Sequence, residues 1–329
     1  MALAQDVRES IVLPAFCAPM FMVSNAAMAT ACCKAGIVGS ITANHLRGLD
    51  ELTAMLAEIH EALARHADSN PGAKIGPLAV NISPNKDQDD FRRNLEVCRE
   101  YGARIIVTSV GDPTANAPLV RDFGMLHYHD VTNIRFAEKA AKAGVDGMIA
   151  SGAGGGGHAG TISHLALIPR IREMFDGTLV MAGVVSNGAA IRAAEVLGAD
   201  LAYLGTRFIA TREAGAPDEY KAMLVEAGVE DVLYTAGLNG MAASWLKPSL
   251  RAVGLDPDNL VAPAKHSHDH LAEHQKPWKD VWSGGQGTAL IRDIPSVAEL
   301  VGRLCREYVE ACAVPDMAAE ARAYAGLPA

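Results

Sequence analysis

The sequence has no Cys-x-x-Cys pair, and its six cysteines, at positions 17, 32, 33, 98, 305 and 312, follow no regular spacing. That excludes a zinc ribbon or a disulfide scaffold and favours a reducing compartment. No apolar run approaches the roughly 18 residues that span a bilayer. The opening MALAQDVRES lacks the basic and apolar regions of a leader, so a cytoplasmic protein without membrane contact is expected. Basic residues are outnumbered, 29 Lys and Arg against 38 Asp and Glu for a net charge of -9. The chain therefore carries no electrostatic footprint for nucleic acid or an anionic membrane. Three catalytic signatures are missing as well. No GxGxxG follows the first apolar run, no Lys-Ser/Thr follows any glycine run, and no G-x-S-x-G nucleophile elbow occurs. A Rossmann start, a P-loop and an elbow-type hydrolase are thereby set aside.

What is present is apolar and periodic. Half of the 329 residues are hydrophobic and 20% are charged, enough to bury a sizeable core. Eight short apolar runs read as strands, at 11–19, 37–41, 77–82, 104–109, 125–130, 146–151, 178–183 and 201–205, with segments of helical period between them. Helix-ending glycines recur just before the next strand, at Gly36, Gly102, Gly124, Gly144 and Gly198. Eight βα units predict an α/β (β/α)8 barrel of TIM type rather than a doubly wound sheet. Ser24 is the expected N-cap of a first helix starting at Asn25. After Thr211 the rhythm breaks into a Pro-, Gly-, Asn- and His-rich stretch. Residues 212–284 therefore read as an inserted, mainly helical cap over the substrate region, and 1–211 with 285–329 as the barrel. Residues 295–312, with Pro295 near the first helical position, return as an outer helix.

A barrel of this kind carries its chemistry at the C-terminal strand ends, with phosphate bound after strands seven and eight. There the sequence places Gly183-Val184 and Gly205-Thr206-Arg207, whose bare backbone and following helix starts suit a phosphorylated cofactor; plain turn glycines are the other reading. After strand six comes Ser151-Gly-Ala-Gly-Gly-Gly-Gly-His158-Ala-Gly160. A flexible linker would be oddly placed within a βα series. A flat glycine surface offering His158 to a substrate, as acid, base or donor near neutral pH, fits better.

These residues resemble the nitronate monooxygenase (2-nitropropane dioxygenase) family of FMN-containing barrels. The resemblance runs through Ala18-Pro19-Met20, Val80-Asn81-Ile82, His129-Asp130-Val131-Thr132, Gly156-Gly157-His158-Ala159-Gly160, Leu197-Gly198-Ala199-Asp200, Gly205-Thr206 and Ser283-Gly284-Gly285-Gln286-Gly287. It implies FMN, with Ala18, Pro19 and Met20 along the isoalloxazine and Asn81 bonded to the flavin. Gly183, Val184, Gly205 and Thr206 would hold the phosphate, Asp130, Ser151 and Gly156 would touch the flavin, and Gln286 would lie on the closing segment. His158 is implied as the catalytic residue. Two departures stand out: Gly183-Val184 replaces the usual Gly-Gly, and Asp130 stands where relatives often have Lys or Gln. Met22, Tyr128, Gly157, Met241 and Trp282 are candidates for the substrate pocket, with core packing the other reading of the large apolar side chains.

The implied reaction is oxidation of an alkyl nitronate, or of a nitroalkane, by O2 to a carbonyl compound and nitrite. An NAD(P)H-dependent quinone or enoyl-thioester reductase of the same barrel, toward which Arg207 points, is the alternative. A non-catalytic flavin-binding protein is a third reading, and a homodimer is compatible with all three. His266, His268, His270 and His274 form a histidine-rich stretch with one i, i+4 pair, but no third ligand accompanies them and no metal is assigned. His127 and His129 share a strand face and are read as hydrogen-bonded core. Ser163-His164 lacks an orienting acid. Arg207 and Arg212 either meet an acidic substrate or a nicotinamide cofactor's phosphate, or pair with Glu213 or Asp218 at the rim.

Overall fold

The computed structural model describes residues 2–265, 267, 269–314 and 317–328. His266 and His268 lie outside these. The helices are α1 (Gln5–Ser10), α2 (Ala26–Lys34), α3 (Leu49–Ser69), α4 (Gln88–Glu100), α5 (Asn116–Asp122), α6 (Ile134–Ala143), α7 (His164–Arg172), α8 (Gly188–Leu197), α9 (Thr206–Ile209), α10 (Asp218–Glu226), α11 (Lys247–Ala252), α12 (Val297–Cys312) and α13 (Ala318–Ala325). The strands are β1 (Ala15–Cys17), β2 (Gly39–Thr42), β3 (Leu78–Asn81), β4 (Ile105–Thr108), β5 (Leu126–Val131), β6 (Gly147–Ser151), β7 (Thr178–Ala182), β8 (Leu201–Leu204), β9 (Val232–Thr235) and β10 (Ala243–Leu246).

Strands β1 to β8 are parallel neighbours in chain order. β1 pairs with β8, and a Phe16–Val38 bridge joins β1 to the segment entering β2, closing the barrel. Each of the eight overlaps one of the apolar runs, with β2 and β5 reaching one residue past theirs. Burial on both faces explains why these runs are continuous rather than alternating. Phe16, Ile105, Tyr128, Ile149, Val180 and Leu201 fill the interior. Across the β5–β6 pair Tyr128 faces Gly147, where a Cβ would sit 2.5 Å from the Tyr128 ring, so the small residue makes room for the large one.

Helix ends follow local chemistry. All five expected glycines adopt positive φ, with Gly144 at 75° and Gly198 at 108°. Asn25, not Ser24, caps α2, its Oδ1 accepting from the Met28 N–H; the Ser24 hydroxyl instead accepts from the Met20 N–H and tightens the β1 loop. Ser296 caps α12 in a reciprocal box with Glu299, so Pro295 stands before the cap rather than inside the helix. α12 packs on α8 and α2 and completes the outer ring.

Residues 212–284 contain α10 and α11 and also an antiparallel hairpin, β9–β10. Leu238, Ala243, Trp245, Leu250 and Val281 give this region a small core of its own. No helix among the described residues is long and apolar enough to cross a membrane.

Candidate active site

A cleft of about 1190 Å³ opens at the C-terminal ends of the strands. Ala18, Pro19, Met20, Asn81, Asp130, Ser151, Gly156, Gly157, His158, Gly183, Val184, Gly205 and Thr206 all line it. They come from six chain segments, at the ends of β1, β3, β5, β6, β7 and β8, and closure of the barrel is what brings them together.

The polar floor is held by hydrogen bonds. The Asn81 carbonyl accepts from Thr42 Oγ1 at 3.0 Å and from Asn44 Nδ2 at 2.7 Å, while its Nδ2 donates to the Val107 carbonyl at 3.1 Å. The amide is therefore fixed in orientation, with one N–H beyond those bonds to offer a ligand. On the opposite side Ser151 Oγ donates to Asp130 Oδ1 at 2.6 Å. Burial pushes the Asp130 carboxyl up to about 6, against the opposing pull of the Ser151 and Val131 hydrogen bonds.

The glycine loop is a wall of bare main chain. Added Cβ atoms would meet the Gly285 N–H nitrogen and Thr206 Oγ1 at 3.1 Å from Gly156, and the Gly156 nitrogen at 2.7 Å from Gly285. The two glycine motifs, far apart in sequence, are thus forced small by each other. Thr206 Oγ1 accepts from the Gly285 N–H, and the Gln286 N–H donates to the Gly154 carbonyl. Gln286 itself is exposed and does not line the cleft. The loop is also strapped to the cap, with the Ser244 N–H donating to the Gly157 carbonyl.

His158 stands against the cap. Its Nδ1 lies 3.1 Å from the Ala242 carbonyl, which can only accept, so in the neutral ring Nε2 is the basic nitrogen. Its ring meets Trp278 edge-on at 5.4 Å, and Trp278 leans on Trp245 at 4.5 Å. Trp278 belongs to the cleft and was not singled out in the sequence; nothing in its neighbourhood distinguishes it from Trp282. Trp282, expected in the pocket, instead stacks on Tyr220 at 5.0 Å with its indole N–H turned to Lys279. Tyr128 is fully buried in the barrel interior, below the cleft, and Met22 sits outside the lining beside Phe21. Met241 lines the cleft as expected, and so do Tyr203 and Tyr234, which the sequence did not flag.

The helix after β7 is closed to a phosphate. Asn187 accepts from the Ala190 N–H, Glu307 accepts from the Gly188 N–H, and a Cβ on Gly188 would strike the Tyr308 backbone at 2.2 Å. Gly183, Val184, Gly205 and Thr206 remain at the cleft. Arg207 is buried and pairs with Asp293, while Arg212 pairs with Glu299, so neither faces the cleft and neither takes Glu213 or Asp218. His127 and His129 each lie 2.7 Å from Thr108 Oγ1; burial lowers them to about 3 and about 4. His164 faces the Ala182 carbonyl at 2.8 Å. His270 points toward the Gly237 carbonyl and shares no helix with His274. Among the described residues no cluster suits a metal ion.

A nitronate monooxygenase family model matches residues 7–307. The nitronate monooxygenase of Paraburkholderia phytofirmans is 28% identical over 345 residues, covering 89% of this chain and 92% of its own. The (3aS,4S,5R,7aS)-5-hydroxy-7a-methyl-1-oxo-octahydro-1H-indene-4-carboxyl-CoA dehydrogenase of Mycobacterium tuberculosis is 27% identical over 234 residues, or 70% of this chain. The match spans only 62% of that dehydrogenase. Among solved structures, nitroalkane oxidase from Streptomyces ansochromogenes superposes with a TM-score of 0.74 at 25% identity, over 94% of this chain and all of that one. By the extent of the family match, the chain belongs to the nitronate monooxygenase family.

Proposed function

We propose that the cleft binds FMN and oxidises alkyl nitronates, and nitroalkanes after loss of an α-proton, with O2 to a carbonyl compound and nitrite. As a family member the chain is a flavin-dependent oxidoreductase. The observation that carries the finer reading is His158, fixed through Nδ1 to the Ala242 carbonyl at the edge of a glycine wall that no side chain interrupts. The flavin, when bound, accepts electrons from the substrate and reacts with oxygen.

The protein supplies the rest. Gly183, Gly205 and Thr206 would hold the phosphate, and the fixed Asn81 amide would orient the ring system. His158 Nε2 takes the α-proton from a neutral nitroalkane; protonated, the same ring steadies a nitronate anion. Trp278 and Tyr234 line the cleft and would limit water at that face once it is filled. A cleft near 1190 Å³ has room for a cofactor and a substrate together.

The test follows flavin absorbance while propionate 3-nitronate is added without oxygen. Prompt loss of the oxidised band is expected, and NADH serves as the comparison. Reduction by NADH but not by the nitronate would overturn the proposal in favour of a reductase. His158→Asn should keep FMN and lose turnover of neutral nitroalkanes by about 10²–10⁴-fold, the usual worth of a general base. Preformed nitronates should be far less affected, and equal losses on both substrates would remove His158 from the role of base.

A further inference from the structure

We infer that Asp130 takes up a proton when a flavin fills the cleft, so that cofactor binding is coupled to protonation of this chain. The inference rests on the flavin reading above. Asp130 ends the inward face of β5, two residues above Tyr128, and lines the cleft floor. Its side-chain hydrogen-bond donor is Ser151 on β6, and among the described residues it forms no ion pair.

The groups around it leave its charge uncompensated. From β8, Tyr203 faces it as a phenol that burial and the Asp130 charge hold neutral. From β7, Ala182 contributes no charge, and neither does Val107 from β4. On β5 itself His129 also lines the cleft, but its Nδ1 lies 2.7 Å from Thr108 Oγ1 and burial lowers it to about 4, so it brings no positive charge near neutral pH. Lys139 and Asp112 stand where the cleft reaches α6 and the β4 loop, and His158 is held on the cap side.

A carboxyl in this position is already pushed up to about 6 by burial. Asp130 is only part-buried and its open side faces the cleft, so a planar ligand laid over it would complete its burial and move it further in the same direction. Near neutral pH the open site is then mainly carboxylate and the filled site mainly acid. The neutral acid gains an O–H to donate to a ligand acceptor, and it relieves repulsion toward a ligand that carries a phosphate. Binding consumes one solvent proton, and the linkage is thermodynamic: each unit between the two carboxyl pKa values is a factor of ten in affinity.

The experiment titrates FMN into the full chain stripped of flavin, between pH 5 and pH 7, for wild type and Asp130→Asn. The FMN phosphate itself titrates near pH 6, so the quantity read is the ratio of the two dissociation constants at each pH, in which the phosphate cancels. We expect wild type to weaken relative to Asp130→Asn by roughly tenfold across that range. Calorimetry of wild type in two buffers of different ionisation heat counts the protons directly and does not depend on the variant folding. A flat ratio, or no proton uptake beyond that of FMN itself, overturns the inference while leaving the flavin reading standing. Failure of a folded wild-type chain to bind FMN would overturn both.

Discussion

At the N-terminal end of the barrel, where α2, α4, α5, α6 and α8 hand the chain to the next strand, every left-handed residue is a glycine. Around the cleft at the other end the chain enters the same region through Gly154, Gly157 and Gly183 but also through Met22, Val110, Val184 and Trp278, and three of those four side chains line the cavity. A side chain in that conformation costs about 1–2 kcal/mol, more for a branched or bulky one. Asp200 belongs to the quiet end: its carboxylate accepts from the Leu179 N–H, the Ala2 N–H and Arg172. One end is built from residues that relieve the backbone, and the other retains side chains that strain it. In barrels of this type the first pattern serves stability and the second serves a site.

The largest expected effect falls below the cleft. Tyr128→Ala empties a fully buried position and should cost about 3–5 kcal/mol in urea unfolding, as for other buried aromatics. A loss under about 1 kcal/mol would mean that the interior collapses into the gap, and the contrast between the two ends would lose its basis.

Next comes the histidine pair on the outer face of β5. Both rings have folded-state values far below the ordinary 6.5, about 3 for His127 and about 4 for His129, because burial disfavours the charged form. One Thr108 hydroxyl can donate to one ring and accept from the other only while the rings are neutral and correctly protonated. Below pH 6.5 the unfolded chain gains protons that the folded chain refuses. Stability is therefore full above 6.5 and falls by about 1.4 kcal/mol per pH unit and per histidine on the way down. The fall ends near pH 4 for His129 and near pH 3 for His127. His127→Phe should remove roughly half of that slope between pH 6 and 4.5; an unchanged slope would assign the acid sensitivity to other groups.

The barrel was legible because its signals are local and repeated. Eight apolar runs, each followed by a helical segment and most helices ended by a glycine, leave few topologies. The glycine loop with His158 was legible because a bare backbone stretch in that position has little other use. Depth was not. Strand alternation puts Tyr128 and Asp130 on one face but does not say that one fills the interior while the other reaches the cleft. The irregular stretch before residue 285 offers no period to separate Trp278 from Trp282, and the Asn239-Gly240 dipeptide between β9 and β10 lies inside a seven-residue connection rather than as a two-residue turn between alternating runs, so the hairpin was not read from it. Left-handed positions are found in a sequence by their glycines, so the four without one could not be seen, although the Gly183-Val184 departure fell on one of them.

That departure gives the smallest effect and the sharpest use of the contrast. Gly144 and Val184 have φ of 75° and 59°, so exchanging the glycine for a side chain at one and the side chain for glycine at the other should give opposite signs. Gly144→Ala meets only the end of the Arg121 side chain, at 3.2 Å, and should cost about 1–2 kcal/mol from the backbone alone. Val184→Gly releases strain of about 1–3 kcal/mol, partly offset by about 0.5–1 kcal/mol of added freedom in the unfolded chain. A net gain of about 1 kcal/mol is expected. If the strain at the mouth serves the ligand, the more stable Val184→Gly chain should bind FMN more weakly. A gain in stability with unchanged FMN affinity would leave the strain at Val184 without a use in the site.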